Sequence, residues 1–256
     1  MFRIRVDSYS NILSAVENAE FTRILSNSDL TKSKRFHFKE DRERFIAARI
    51  MFLDLLNDIN GEQSLMDTLV DQPTLNSNTY PNKYLYHIIH LLPLTFSYNT
   101  FGKPEHDEIP FQFNWSHSGD LIAVTIGTLP VGIDVEQYTS RPLFDYKSLC
   151  TIDELKWIQS QVDHHIFDEK QAFLIIWSAK EAVLKAIGTG LSTDPRNVSI
   201  NFNKHDDHSW SCQLNDRVLY GVYSRLLYNQ NSYAVAWCSP ESILVDEAKS
   251  YISIIQ

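Results

Sequence analysis

The chain has 256 residues, 43% of them apolar and 21% charged, and a net charge of −9. That length can bury a substantial core as one large domain or two halves, and the composition is ordinary for a soluble globular protein. The acidic balance argues against nonspecific nucleic-acid binding, and no uninterrupted apolar run reaches transmembrane length.

Cys150, Cys212 and Cys238 are widely spaced, with no CxxC, and read as free thiols in a reducing compartment. Phe2, Ile4 and Val6 alternate with polar residues, the pattern of a first strand rather than of a signal peptide, so the expected location is the cytoplasm. Helical patterning follows, loosely over 11–25 and then strongly through Phe45, Ala48, Phe52, Leu55, Leu56 and Ile59. Lys32, Lys34, Arg35, Lys39, Arg42, Arg44 and Arg49 crowd this region. Such a cluster is either a local anion site or a charged helix face balanced by Glu40, Asp41 and Glu43. Residues 60–92 read as loops with one short element. His87 and His90 within it are expected to be packing residues rather than metal ligands at i, i+3.

Residues 94–99 make a plausible strand, and Phe101-Gly102-Lys103-Pro104 a turn. The alternation over 111–115 predicts another strand, which delivers Ser116-His117-Ser118-Gly119 as a loop. A Ser/His nucleophile pair is conceivable there, but no G-x-S-x-G elbow surrounds it. A loop of this kind can instead hold a phosphate oxygen. Residues 121–126 form a strand, 127–130 a turn, and 131–136 the next strand. On that strand Val131, Ile133 and Val135 point to one face, and Gly132, Asp134 and Glu136 to the other. The two acids are ~6.6 Å apart along the strand. They make either an exposed polar face or a pair converging on a hard cation such as Mg²⁺.

Thr151 and Glu154 form a capping box that opens a helix through Leu155, Ile158 and Val162. His164-His165 falls in the solvated loop behind it. Asp168 and Gln171 form a second capping box and start a long helix that Gly188 and Gly190 stop. Ala172, Ile176, Ala179, Val183 and Ile187 make its buried stripe. Trp177, Glu181 and Lys185 recur every four residues on another face. That face is either a solvated Glu→Lys pair worth ~0.3–0.5 kcal/mol, or a carboxylate with the cations Lys180 and Lys185 presented to something anionic. After Leu191 the pattern is β, near 198–202, 210–214, 218–224 and 233–237. His205-Asp206-Asp207-His208 is a polar turn, and the tail from Pro240 is short and weakly helical.

An acid pair on a strand, an acid and lysines on a helix, a Ser-His loop and a basic helix end together suit a divalent cation, a diphosphate and a further phosphate. The ordered set Phe101-Gly102-Lys103-Pro104, Phe113-Asn114-Trp115-Ser116-His117-Ser118, Val131-Gly132-Ile133-Asp134-Val135-Glu136 and 177–191 resembles the 4′-phosphopantetheinyl transferases of the surfactin-synthetase-activating type. Arg35-Phe36 and Arg44 fit that family's basic helix, and order and spacing match over about 32–192. Trp115 departs from the pattern, standing where the family commonly has a branched aliphatic residue.

The resemblance implies an α+β fold of two similar α/β subdomains related by a pseudo-twofold, with the active site in the cleft between them. Residues 1–130 would form the side for the coenzyme A 3′-phosphate and adenine. Residues 131–256 would form the Mg²⁺-binding and catalytic side. The implied activity is that of a holo-[acyl-carrier-protein] synthase: the phosphopantetheine arm of coenzyme A moves to a serine of an apo acyl or peptidyl carrier protein, and adenosine 3′,5′-bisphosphate is released. Asp134, Glu136 and Glu181 would hold Mg²⁺, with Mn²⁺ as a substitute. Lys185 and His117 would contact the diphosphate, with Glu181 as the favoured base. Ser116, Arg44, Lys32 and Arg49 would take the 3′-phosphate, and Lys103 would flank the adenine and ribose. Trp177 and Lys180 would support the site. Carrier docking would use Leu143, Phe144, Leu149 and the helix after Thr151. A monomer is expected, with no nucleic-acid or membrane partner. The competing expectations are a degenerate relative that only binds coenzyme A or a carrier, and another Mg²⁺-dependent phosphotransferase.

Overall fold

The structure is a computed structural model, and it describes residues 2–15, 25–68, 93–139, 146–203, 206, 208–242, 245, 247 and 248. His87, His90, Leu143 and Phe144 lie outside the described residues, as do His205 and Asp207. In chain order the main strands are β1 (Phe2–Ser8), β2 (Ser97–Tyr98), β3 (Pro104–Glu105), β4 (Gln112–Ser118), β5 (Leu121–Gly127), β6 (Gly132–Gln137), β7 (Asn201–Phe202), β8 (Ser209–Leu214), β9 (Arg217–Tyr228) and β10 (Asn231–Ser239). Among the described residues the α-helices are α1 (Tyr9–Ser14), α2 (Asn27–Ser33), α3 (Lys39–Thr68), α4 (Ile152–Asp163) and α5 (Glu169–Ile187). The chain packs as two compact units, Met1–Val6 with Ser97–Gln256, and Asp7–Phe96. Pro130 lies inside the first of these, in the turn between β5 and β6.

In the first unit two sheets carry the core. One has the order β1-β5-β4, the other β6-β10-β9-β8-β7. β6 and β10 run antiparallel, with Asp134 opposite Ala236 and Glu136 opposite Ala234. Val131, Ile133 and Val135 are buried with Phe2, Ile4, Leu121, Val235 and Trp237, so this face of β6 looks into the core shared with the β1-β5-β4 strands. The other face meets α5, whose Ala179, Ala182, Val183 and Ala186 pack with Cys212, Leu219, Ala236 and Cys238. Apolar alternation on β6 therefore segregates its two acids to the helix side, as the period of two requires.

Both predicted capping boxes form, Thr151 with Glu154 on α4 and Asp168 with Gln171 on α5. Gly188 ends α5 in the left-handed conformation at φ +83°, where a residue without Cβ costs least. Two strands near the site differ in extent from the sequence reading. The strand expected over 94–99 is only Ser97–Tyr98, and β4 does not stop at Trp115 but runs through Ser118. Its pairing with β5 carries it on, Ser116 opposite Ala123, His117 opposite Ile122 and Ser118 opposite Leu121. The turn falls at Gly119-Asp120 instead.

In the second unit the expected helical stripe is realised in α3, where Phe45, Ala48, Phe52, Leu55, Leu56 and Ile59 are all buried. The helix continues to Thr68, into the stretch expected to be loops. Of the loose helical pattern over 11–25, residues 11–14 fall in α1 and 16–24 lie outside the described residues; α2 follows at Asn27–Ser33, and both helices are opened by a serine N-cap. Among the described residues no helix is long and apolar enough to cross a membrane.

Candidate active site

The strand face of Asp134 and Glu136 meets a matching row on β4. Asn114, Ser116 and Ser118 share one face of that strand, and the two hydroxyls reach the two acids. Ser116 Oγ donates to Asp134 Oδ1 at 2.7 Å, and Ser118 Oγ donates to Glu136 Oε2 at 3.0 Å. From the helix, Lys185 Nζ donates to Asp134 Oδ1 at 2.6 Å and to Ser116 Oγ at 2.8 Å. Ser116, Asp134 and Lys185 thus form a closed triangle drawn from β4, β6 and α5.

Gly132 is what lets the helix come so close. A Cβ there would lie 1.9 Å from the carbonyl oxygen of Ala182 and 2.8 Å from the amide nitrogen of Ala186. Backbone of α5 therefore presses on backbone of β6, at the residues that directly follow Glu181 and Lys185. Side-chain donors then close the end of the helix. Lys103 Nζ bonds Ala186 O at 3.1 Å, and Asn99 Nδ2 bonds Gly188 O at 3.0 Å. A lysine ammonium at helix C-terminal carbonyls is favoured by the macrodipole. Burial pushes the Lys103 ammonium below the ordinary lysine value, with Glu105 opposing.

The three carboxylates act on one another. Burial, and next the charge of Asp134, push Glu136 up to about 7. Burial raises Glu181 as well, opposed by Lys185 and reinforced by Asp134. Asp134 is 2% exposed, and its Oδ2 is buried with no hydrogen-bond partner among the described residues. Among those residues no group of three or more His, Cys, Asp or Glu side chains is assembled for a metal ion. By donor type and charge, however, the set fits a hard divalent cation: oxygen donors only, an orphaned buried carboxylate oxygen, and like charges that a cation would relieve.

The other expected residues are distributed as follows. Trp177 is half-buried against Phe173, ring centroids 6.2 Å apart. His117 is exposed on β4, and strand alternation sets it on the face opposite Ser116 and Ser118. Lys180 does not share the face of Lys185. It is 1% exposed, paired with Glu154 Oε2 at 2.9 Å, and donates to the carbonyls of Pro195 (3.0 Å) and Val198 (2.7 Å). All three of its protons are engaged, so it secures α5 from within the core. In the second unit, Arg49 is 4% exposed, paired with Asp29 at 3.3 Å and stacked over Phe45 at 3.6 Å. Arg44 pairs with Asp41 at 2.7 Å. Lys32 is exposed and, with Arg35, lines a cleft of about 760 Å³ together with Asn27, Thr31 and Phe36.

Sequence reasoning missed the Ser118 contact with Glu136 and the Glu154 contact with Lys180. The first was within reach, because Ser116 and Ser118 repeat the two-residue spacing of Asp134 and Glu136. The second was hidden, because Glu154 already had a sufficient role in its capping box.

Residues 130–238 match the family model described as the 4′-phosphopantetheinyl transferase superfamily. That span contains Asp134, Glu136, Trp177, Lys180, Glu181 and Lys185. The chain resembles the 4′-phosphopantetheinyl transferases. It is 33% identical to the 4′-phosphopantetheinyl transferase psf-1 of Bacillus pumilus over 114 residues, 43% of this chain and 48% of the relative. It is 31% identical to the 4′-phosphopantetheinyl transferase gsp of Aneurinibacillus migulanus over 111 residues, 43% of this chain and 45% of that one. The 4′-phosphopantetheinyl transferase Sfp of Bacillus subtilis is 25% identical over a longer stretch of 205 residues, 80% of this chain and 77% of the relative. The chain thus spans about half the length of the first two. The superfamily match covers the Asp134, Glu136 and Lys185 end of the cluster, and β4 supplies the serines from just before it.

Proposed function

We propose that the protein transfers the 4′-phosphopantetheine arm of coenzyme A to a serine hydroxyl of an apo carrier protein. The observation that carries this reading is the meeting of Ser116, Asp134 and Lys185 beside Glu136 and Glu181, at the residues where the transferase motifs fall in order. The fold in this reading is two similar α/β halves, 1–130 and 131–256, related by a pseudo-twofold, with the cation and catalytic residues in the second. The protein acts in the cytoplasm as a monomer.

Asp134, Glu136 and Glu181 are the residues that would hold Mg²⁺. Bound there, the ion would supply positive charge to the coenzyme A diphosphate. Lys185 contributes its own cation at the same place, and His117 and Lys103 are further contacts for coenzyme A, with Lys32 and Arg44 for its 3′-phosphate. In the reaction the carrier serine oxygen bonds to the phosphorus that bears the pantetheine arm. The bridging P–O bond breaks, and adenosine 3′,5′-bisphosphate leaves with the electron pair. Most of the barrier reduction in such a transfer comes from positioning and charge stabilisation. The serine proton goes to Glu181, directly or through a water.

Release of adenosine 3′,5′-bisphosphate tests the reading. With coenzyme A, Mg²⁺ and an apo carrier, the wild type should form it only when the carrier serine is present. Glu181→Gln should abolish release while coenzyme A stays bound. Coenzyme A binding by the wild type with no bisphosphate formed would leave only a binding protein.

A further inference from the structure

The backbone fixes the direction of the hydrogen bond that Ser118 makes. The amide of Gln137 donates to Ser118 Oγ at 3.0 Å, and Ser118 Oγ lies 3.0 Å from Glu136 Oε2. An oxygen that accepts from a backbone N–H on one side turns its own proton to the other. Ser118 therefore donates to Oε2, and the donor of that chain is the main chain of β6 itself, one residue beyond Glu136. The serine is held in turn by the end of β4, in register opposite Leu121. The adjoining turn is tight: a Cβ on Gly119 would lie 2.4 Å from Gln137 Oε1 and 2.9 Å from Tyr233 Oη. Tyr233 Oη also accepts from the amide of Asp120 at 3.2 Å. The end of β4 is thus pinned on β6 and β10 beside Glu136.

Resting on the cation-binding reading of Asp134, Glu136 and Glu181, we infer that Ser118 is a positioning residue that fixes the Glu136 carboxylate by holding Oε2, leaving Oε1 to face a divalent cation. Without the hydroxyl, Glu136 regains rotamer freedom that must be lost again on binding the ion. Partners that orient a metal-ligating side chain typically contribute 10–100-fold to metal affinity.

The test titrates Mn²⁺ into the full chain loaded with coenzyme A and reads bound ion by its electron paramagnetic resonance. Ser118→Ala should weaken Mn²⁺ by about tenfold, and Ser118→Thr, which keeps a hydroxyl, should restore most of the loss. In a Glu136→Gln background, Ser118→Ala should cost nothing further, because the two residues act as one unit. Wild-type affinity in Ser118→Ala would overturn the inference alone. So would an undiminished loss in the Glu136→Gln background, since the serine would then act elsewhere. A wild type that binds no Mn²⁺ would overturn the cation reading and this inference with it.

Discussion

Lys180 and Lys185 stand five residues apart on one helix and do opposite work. Lys185 is partly open to solvent beside Asp134, while Lys180 is sealed into the core against Glu154. Removing one partner of a buried pair strands the other charge. Lys180→Met should therefore lower unfolding free energy by ~3–5 kcal/mol, read by denaturant titration, and adding Glu154→Gln should return part of it. The sequence showed that both lysines belong to the helix. It did not show which was buried, because the pair depends on a residue of α4 and on carbonyls of the 195–198 turn. Glu136 leads to a pH prediction. Its folded value of about 7 lies above the ordinary carboxyl value of 4.5, so between these the folded chain binds the extra proton. Stability of the cation-free protein is then greatest below that window and falls as pH rises through it. Urea unfolding near ~pH 5 and ~pH 7.5 should show the loss, and Glu136→Gln should flatten it.

At the scale of elements, the contact between α5 and β6 sets the site. Gly132→Ala would drive a methyl group into backbone of α5 rather than into a flexible side chain. The expected cost is at least ~1–3 kcal/mol of stability, with transfer activity falling further because Glu181 and Lys185 move with the helix. Activity that held while stability dropped would separate the helix position from the chemistry. Much of this element was legible beforehand. One capping box, the glycines that stop the helix and an apolar stripe define α5, whereas the close approach of its backbone at Gly132 was not read from the sequence. The end of β4 was not legible, since nothing local in Ser116-His117-Ser118 tells strand from loop. Pairing with β5 decides it, and that pairing is a tertiary fact.

At the scale of the whole molecule, the acidic net charge of −9 argues that an acidic carrier would be held by apolar contacts rather than by charge. Ile152, at the start of α4, is 74% exposed, and Leu149 just before it is half-buried. Phe144→Ala and Leu149→Ala should each raise the KM for carrier several-fold without changing the KM for coenzyme A. Steady-state kinetics with each substrate varied in turn would check this, and an unchanged carrier KM would place docking elsewhere. The basic region of the second unit was legible as a cluster but not residue by residue. Arg49 is spent on Asp29 and Phe45, whereas Lys32 lines an open cleft. The most direct measurement is the intact mass of an apo carrier after incubation with this protein, coenzyme A and Mg²⁺. The account predicts a gain of one phosphopantetheine, located on a single serine and lost when Glu181 is Gln. A carrier of unchanged mass, under conditions where coenzyme A binds, would contradict it.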